Sequence, residues 1–137
     1  MKFKIKDPML ISVRVKGRAN RVREISALLD FNTHLSWILR LDAMHLGYAE
    51  VSNKPEDYKT IAGGIVPEVL TMRGLEMGIV VSLTEVSIGT LSAHNVKAFI
   101  LPQDVPRLAP FDMVLGRSFM NNFRTVIDPK AGFLTLT

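Results

Sequence analysis

The residues best suited to chemistry are Asp30-Phe31-Asn32-Thr33, which close the apolar run Ala27-Leu28-Leu29. An apolar run that ends on a carboxylate and passes into Asn and Thr reads as a strand entering a tight loop. Asn tolerates a left-handed backbone, and Asn and Thr side chains bond neighbouring amides. The expected setting for Asp30 is partly buried and beside unpaired amides, where a carboxylate is held in one orientation and can exchange a proton with water or substrate. Other reactive groupings are weaker. His34, His45 and His94 lack metal-ligand spacing, and Asp42 with His45 shares at most a helix face. Ser36 beside His34 does not make a nucleophile–base pair, because sequence neighbours rarely supply that geometry. No glycine loop suits a phosphate. The expectation is a site without metal or cofactor.

Composition bounds what can carry this loop. The chain has 137 residues, 47% hydrophobic, which is one domain (1–137) with enough apolar surface for a core. It has no cysteine, so disulfides and thiolate metal sites are excluded. No apolar run reaches the length of a membrane span and 1–6 lacks a signal-peptide core, so the expected location is cytoplasmic, away from membranes. The net charge of +4 is concentrated in Lys2, Lys4 and Lys6 and in Arg14, Lys16, Arg18, Arg21 and Arg23. These residues alternate with Phe3, Ile5, Val13, Val15 and Val22, as on the solvated side of strands. Aromatic residues are few, so a stacking surface for nucleic acid is not expected.

The elements that position Asp30 follow from patterning. Residues 9–16 alternate with period two and are rich in β-branched side chains. Gly17-Arg18-Ala19-Asn20 is a turn, and 21–29 returns as a strand, so a hairpin delivers Asp30. Residues 36–46 predict a short helix stopped by Gly47. Trp37 is expected to pack behind the Asp30 loop. Residues 49–57 read as a polar connection. Tyr58 to Leu70 places β-prone arms on either side of Gly63-Gly64 and predicts a hairpin. Strands are expected over 75–83, 85–88 and 96–101, then a proline-marked loop at 102–110. Met113-Val114-Leu115 reads as a buried strand that runs through Gly116 into a short helix carrying Phe119, Met120 and Phe123. Residues 124–128 and 133–137 are strands about a turn. Mostly strands with one or two short helices means a small closed β structure.

Leu28-Leu29-Asp30, Val114-Leu115-Gly116-Arg117 with Phe119-Met120, and Val126-Ile127-Asp128, in this order and spacing, resemble the retropepsin-like aspartic peptidases. The resemblance covers nearly the whole chain and implies a closed β-barrel that supplies one subunit of a homodimer. It implies Asp30 as the catalytic carboxylate, paired with Asp30 of a second subunit to activate water. Asn32 and Thr33, with Ile61, Ala62, Gly63 and Gly64 in a flap, are implied as substrate-binding residues for a peptide or protein. The terminal strands, 133–136 with 1–5, are implied to pair across the dimer. The family's Asp-Thr-Gly is Asp30-Phe31-Asn32 here. Phe31 has no hydroxyl to brace two loops, Asn32 brings a side chain where glycine leaves space, and His34 stands where an acidic partner for Arg117 is usual. Two functions follow: an aspartic endopeptidase, or a dimer of the same fold that binds peptides or serves a structural role without cleaving.

Overall fold

The computed structural model describes residues 1–48, 68–71, 74–77, 79–100 and 111–137. Six strands close a barrel: β2 (Leu10–Lys16), β3 (Val22–Leu29), β4 (Ser36–Ile38), β7 (Ile79–Ile88), β8 (Leu91–Ile100) and β9 (Met113–Leu115), in the spatial order β2-β3-β9-β4-β8-β7. A second sheet has β11 (Phe133–Leu136) at its centre, flanked by β1 (Lys2–Lys4) and β10 (Thr125–Asp128). β5 (Glu68–Thr71) and β6 (Gly74–Met77) form a separate antiparallel hairpin. Among the described residues the α-helices are α1 (Arg40–His45) and α2 (Arg117–Met120). None of the described helices is long and apolar enough to cross a membrane. The architecture is the mainly β closed barrel, with two short helices, that the patterning predicts.

Alternation along the strands separates two apolar faces. Ile25, Ala27 and Leu29 of β3, Ile38 of β4, Val81 and Leu83 of β7, Ala98 and Ile100 of β8, and Met113 and Leu115 of β9 point into the barrel and are buried. Their sequence neighbours Trp37, Phe99 and Val114 form a second buried cluster on the opposite face, rimmed by half-buried Leu28, Leu35, Leu39, Val80 and Phe111. Side chains two apart share a sheet face, so one strand serves both clusters.

The expected helix over 36–46 is divided. Ser36–Ile38 is the strand β4, parallel to β8 and antiparallel to β9, and only Arg40–His45 is helical. Two sheet neighbours outweigh a weak local helix preference. Gly47 ends the helix as expected, at φ +88°. β8 starts at Leu91 immediately after a tight turn at Gly89, so most of the interval expected to be loop is strand. The Gly63-Gly64 hairpin lies outside the described residues.

The basic run on the first hairpin is interrupted by acid. Arg14 stands opposite Glu24, Lys16 opposite Glu85, and Arg23 reaches Asp42. The Arg23 Nε–Asp42 Oδ1 separation is 2.6 Å, and Asp42 is buried on α1. Burial pushes the Asp42 carboxyl above its ordinary range; Arg23 draws it back only in part, and the nearby Asp112 charge adds to the rise. A raised folded-state value means that the native chain holds this proton more tightly than the unfolded chain. The contribution is complete below the ordinary carboxylate range and is lost as pH rises through the raised value. Asp42→Asn should therefore flatten the fall in stability between acid and neutral pH. Arg23→Ala should lower neutral-pH stability by about 1–3 kcal/mol, because it strands a buried carboxylate. Denaturant unfolding of both variants across this pH range is the measurement.

Candidate active site

β3 ends at Leu29, and the backbone turns at once into the Asp30 loop. The N–H of Asp30 donates to the Leu115 carbonyl at 3.0 Å, so the loop starts while still fastened to β9. Asp30 then organises its own loop. Its Oδ1 accepts the Asn32 N–H at 2.9 Å, and its Oδ2 accepts the Thr33 hydroxyl at 2.7 Å. Each oxygen accepts one bond from its own loop, which orients the carboxylate and leaves lone pairs for a further donor.

Asn32 does not take up the left-handed backbone that asparagine tolerates. Among the described residues, non-glycine positions with positive φ are Ala19, Asn20 and Asn95, so Asn32 does not use the left-handed region. The carboxylate closes the turn by accepting the Asn32 amide, and no left-handed residue is needed. The Asn32 side chain is exposed, and Thr33 is half-buried with its hydroxyl on Asp30. Phe31, where the resemblance implies a threonine, is half-buried against the barrel core and pins the loop by packing. The structure thus brings Asp30, Asn32 and Thr33 together. Ile61, Ala62, Gly63 and Gly64 lie outside the described residues.

Behind the loop, β9 runs between β3, to which it is parallel, and β4, to which it is antiparallel. The chain leaving β9 is tied to the chain leaving β3. Arg117 N–H donates to the Thr33 carbonyl at 2.8 Å and Ser118 N–H to the His34 carbonyl at 2.9 Å. Gly116 makes this crossing feasible: a Cβ there would stand 2.5 Å from the Thr33 oxygen and 2.6 Å from the Leu35 oxygen. Two serines complete the lock. Ser118 Oγ donates to the Lys97 carbonyl at 2.7 Å and accepts the Ser36 N–H at 2.9 Å. With its one proton committed, Ser118 Oγ accepts from Ser36 Oγ at 2.9 Å, and Ser36 Oγ in turn accepts the Gly116 N–H at 3.1 Å. Sequence reading missed this pair, since 82 residues separate the two serines and neither stands in a reactive pattern.

Trp37, expected behind the loop, lies on the outer sheet face with Phe99 and Val114, 6.2 Å from the Phe111 ring, and its buried Nε1–H has no acceptor among the described residues. That face was legible in one respect. Ala27-Leu28-Leu29, Ala98-Phe99-Ile100 and Met113-Val114-Leu115 are continuous rather than alternating, the mark of strands covered on both sides.

No protein-family model matches the sequence, and no curated protein does. Among solved structures, a retropepsin-like aspartic protease from Rickettsia conorii is similar over 98% of this chain and 97% of its own, with a TM-score of 0.62 and 19% identity. The fold is retropepsin-like.

The crossing at Gly116 should be the least tolerant point of this site. Gly116→Ala drives a methyl group into two backbone oxygens that cannot retreat, so it should unfold the chain or lower its stability by more than about 3 kcal/mol. Ser36→Ala, which strands one buried N–H and one hydroxyl acceptor, should lower stability by about 1–3 kcal/mol. Urea unfolding of the two variants gives this ranking, and an equal effect would contradict it.

Proposed function

We propose that the chain is one subunit of a homodimeric aspartic endopeptidase with Asp30 as its catalytic carboxylate. The observation that carries this reading is the Asp30 loop itself. A carboxylate stands at the mouth of a barrel strand, held at both oxygens by Asn32 and Thr33, on a loop fixed from behind by Gly116. The likeness of fold to the Rickettsia conorii protein supports it.

One chain offers one such loop, so the reaction needs a second copy. Two carboxylates brought together do not both ionise and share a proton. The ionised one takes a proton from water as the water oxygen bonds to the peptide carbonyl carbon, and the protonated one donates to the carbonyl oxygen. The tetrahedral species collapses as a proton passes to the leaving nitrogen and the C–N bond breaks. In this reading Asn32 and Thr33 orient the carboxylate and border the peptide. The segment with Ile61, Ala62, Gly63 and Gly64 supplies the cover over an extended substrate, and no metal or cofactor takes part. A peptide-bound hydrogen-exchange experiment should show protection in that segment; protection confined to the β5–β6 hairpin would transfer the cover there.

The second reading, a dimer that binds peptides without cleaving them, is favoured by Phe31. Its ring is committed to the barrel core, and a hydroxyl that would brace two loops is lacking. Peptidase assays from acid to neutral pH separate the two. The enzyme should give a bell-shaped profile, and Asp30→Asn should reduce turnover by roughly 100- to 10,000-fold while leaving the dimer intact. Phe31→Thr combined with Asn32→Gly should raise the rate but reduce stability by about 1–3 kcal/mol through lost packing. If neither the natural chain nor that variant cleaves a peptide library, while peptides still bind, the binding reading replaces the enzyme.

A further inference from the structure

The corner where the Asp30 loop meets α2 carries charge of one sign. α2 packs on β4, β8 and β9, and the residues after Gly116 are bonded to the loop. Residues 31–35, β4, residues 96–100 of β8, β9 and α2 together hold His34, Lys97 and Arg117, and no carboxylate. All three are exposed. The acid beside them is Asp30, whose two oxygens each take a bond from its own loop.

Two of these residues are set opposite one another by backbone bonds. The Arg117 and Ser118 N–H groups donate to the Thr33 and His34 carbonyls, and the two bonds close one ring. In that ring the His34 Cα lies between the accepting carbonyls and the Arg117 Cα between the donating amides. Neither side chain has a hydrogen bond or an ion pair among the described residues, whereas Arg23 on the first hairpin is answered by Asp42. The pair is also close to Asp30. Thr33, whose hydroxyl is 2.7 Å from Asp30 Oδ2, is the residue before His34. The next Cα stands about 3.8 Å on, and an extended peptide advances about 3.3 Å per residue. A peptide cut at Asp30 therefore brings to this pair a side chain about two or three residues from the cut bond.

We propose that His34 and Arg117 form a carboxylate-binding pair, so that the chain selects peptides carrying Asp or Glu at that distance from the cut. The inference rests on the reading of Asp30 as the centre against which a peptide lies, and it names the substrate class. A guanidinium keeps its charge and offers a planar fork that takes both oxygens of a carboxylate. An imidazole ring donates in either protonation state. Exposed Lys97 adds positive charge to the approach. A Gln side chain fills the same space without charge, so charge is what the pair discriminates. Two copies of the chain place one pair on each side of the bond, so an acid on either side is accepted.

The test gives the natural chain a library of peptides acetylated and amidated at their ends, so that every carboxylate belongs to a side chain. Cut sites should be enriched in Asp or Glu about two or three residues from the broken bond. In one cleaved sequence, Glu at that position should exceed Gln by roughly 10- to 100-fold in kcat/KM. Arg117→Gln and His34→Gln should each bring this ratio towards one. Arg117→Glu should turn the preference from Glu to Lys, which a merely structural role does not produce. Circular dichroism shows which variants fold, and the ratio of the natural chain decides the matter if none does. Cleavage at equal rates for Glu and Gln would overturn the pair and leave the Asp30 reading standing. So would cleavage that needs a free C-terminal carboxylate in place of an acidic side chain. If nothing is cleaved, the endopeptidase reading falls, and peptides retained from the same library by the immobilised chain decide the pair. Retention of acidic over amide sequences, lost in Arg117→Gln, sustains it; equal retention or none overturns it.

Discussion

The structure depends on one crossing: β9 passes between β3 and β4, and Gly116 carries the chain out past the Thr33 and Leu35 carbonyls with no room for a side chain. Everything that positions Asp30 is fastened there. The Asp30 amide bonds to the last residue of β9, and the carbonyls of Thr33 and His34 receive the first amides after Gly116. The loop is therefore clamped before the carboxylate by the end of β9 and after it by the first residues of α2. Because the contacts are backbone to backbone, the clamp depends on the path of the chain and on one missing Cβ, and little on which side chains surround it.

The serine pair shows how the crossing reaches the barrel wall. Ser36 is fully buried in β4, and Ser118 is the second residue of α2, the helix after β9; the proton order runs from Ser36 to Ser118 to the Lys97 carbonyl on β8. Two barrel strands, the Gly116 turn and α2 are thereby joined through two hydroxyls, each acting as donor and acceptor. A chain of this kind has a single satisfied arrangement, so it fixes register as well as adding stability. Asp42 and Arg23 tie α1 to β3 with a different balance, since the carboxylate sits where burial opposes its charge.

Local signals in the sequence were sufficient where pairing is local. The hairpin of β2 and β3, the helix stop at Gly47, and the terminal hairpin of β10 and β11 all join neighbours through turns with recognisable residues. Asp30 was legible for the same reason, as the abrupt end of an apolar run. β4 was not: Ser36-Trp37-Ile38 has no partner nearby in sequence, and its strand character comes from β8 and β9, more than 60 residues away. The arrangement of the terminal sheet was hidden likewise. Residues 133–136 read as a strand, but that both of its edges are filled by residues 2–4 and 125–128 depends on how the chain closes.

Phe31 connects these layers to chemistry. In a loop that must hold a carboxylate still, the residue after the acid can be fixed by a hydroxyl that reaches a second loop, or by an apolar ring that reaches the core beneath. This chain uses the ring. Packing against the core holds the loop within one chain, with no contribution from a partner, while Thr33 and the Asn32 amide hold the carboxylate itself. The Asp30 geometry is therefore formed within a single chain. Asn32, next to the buried ring, is exposed beside Asp30. Core packing and surface chemistry are thus divided between adjacent residues, and a substitution at either one tests a different half of the site.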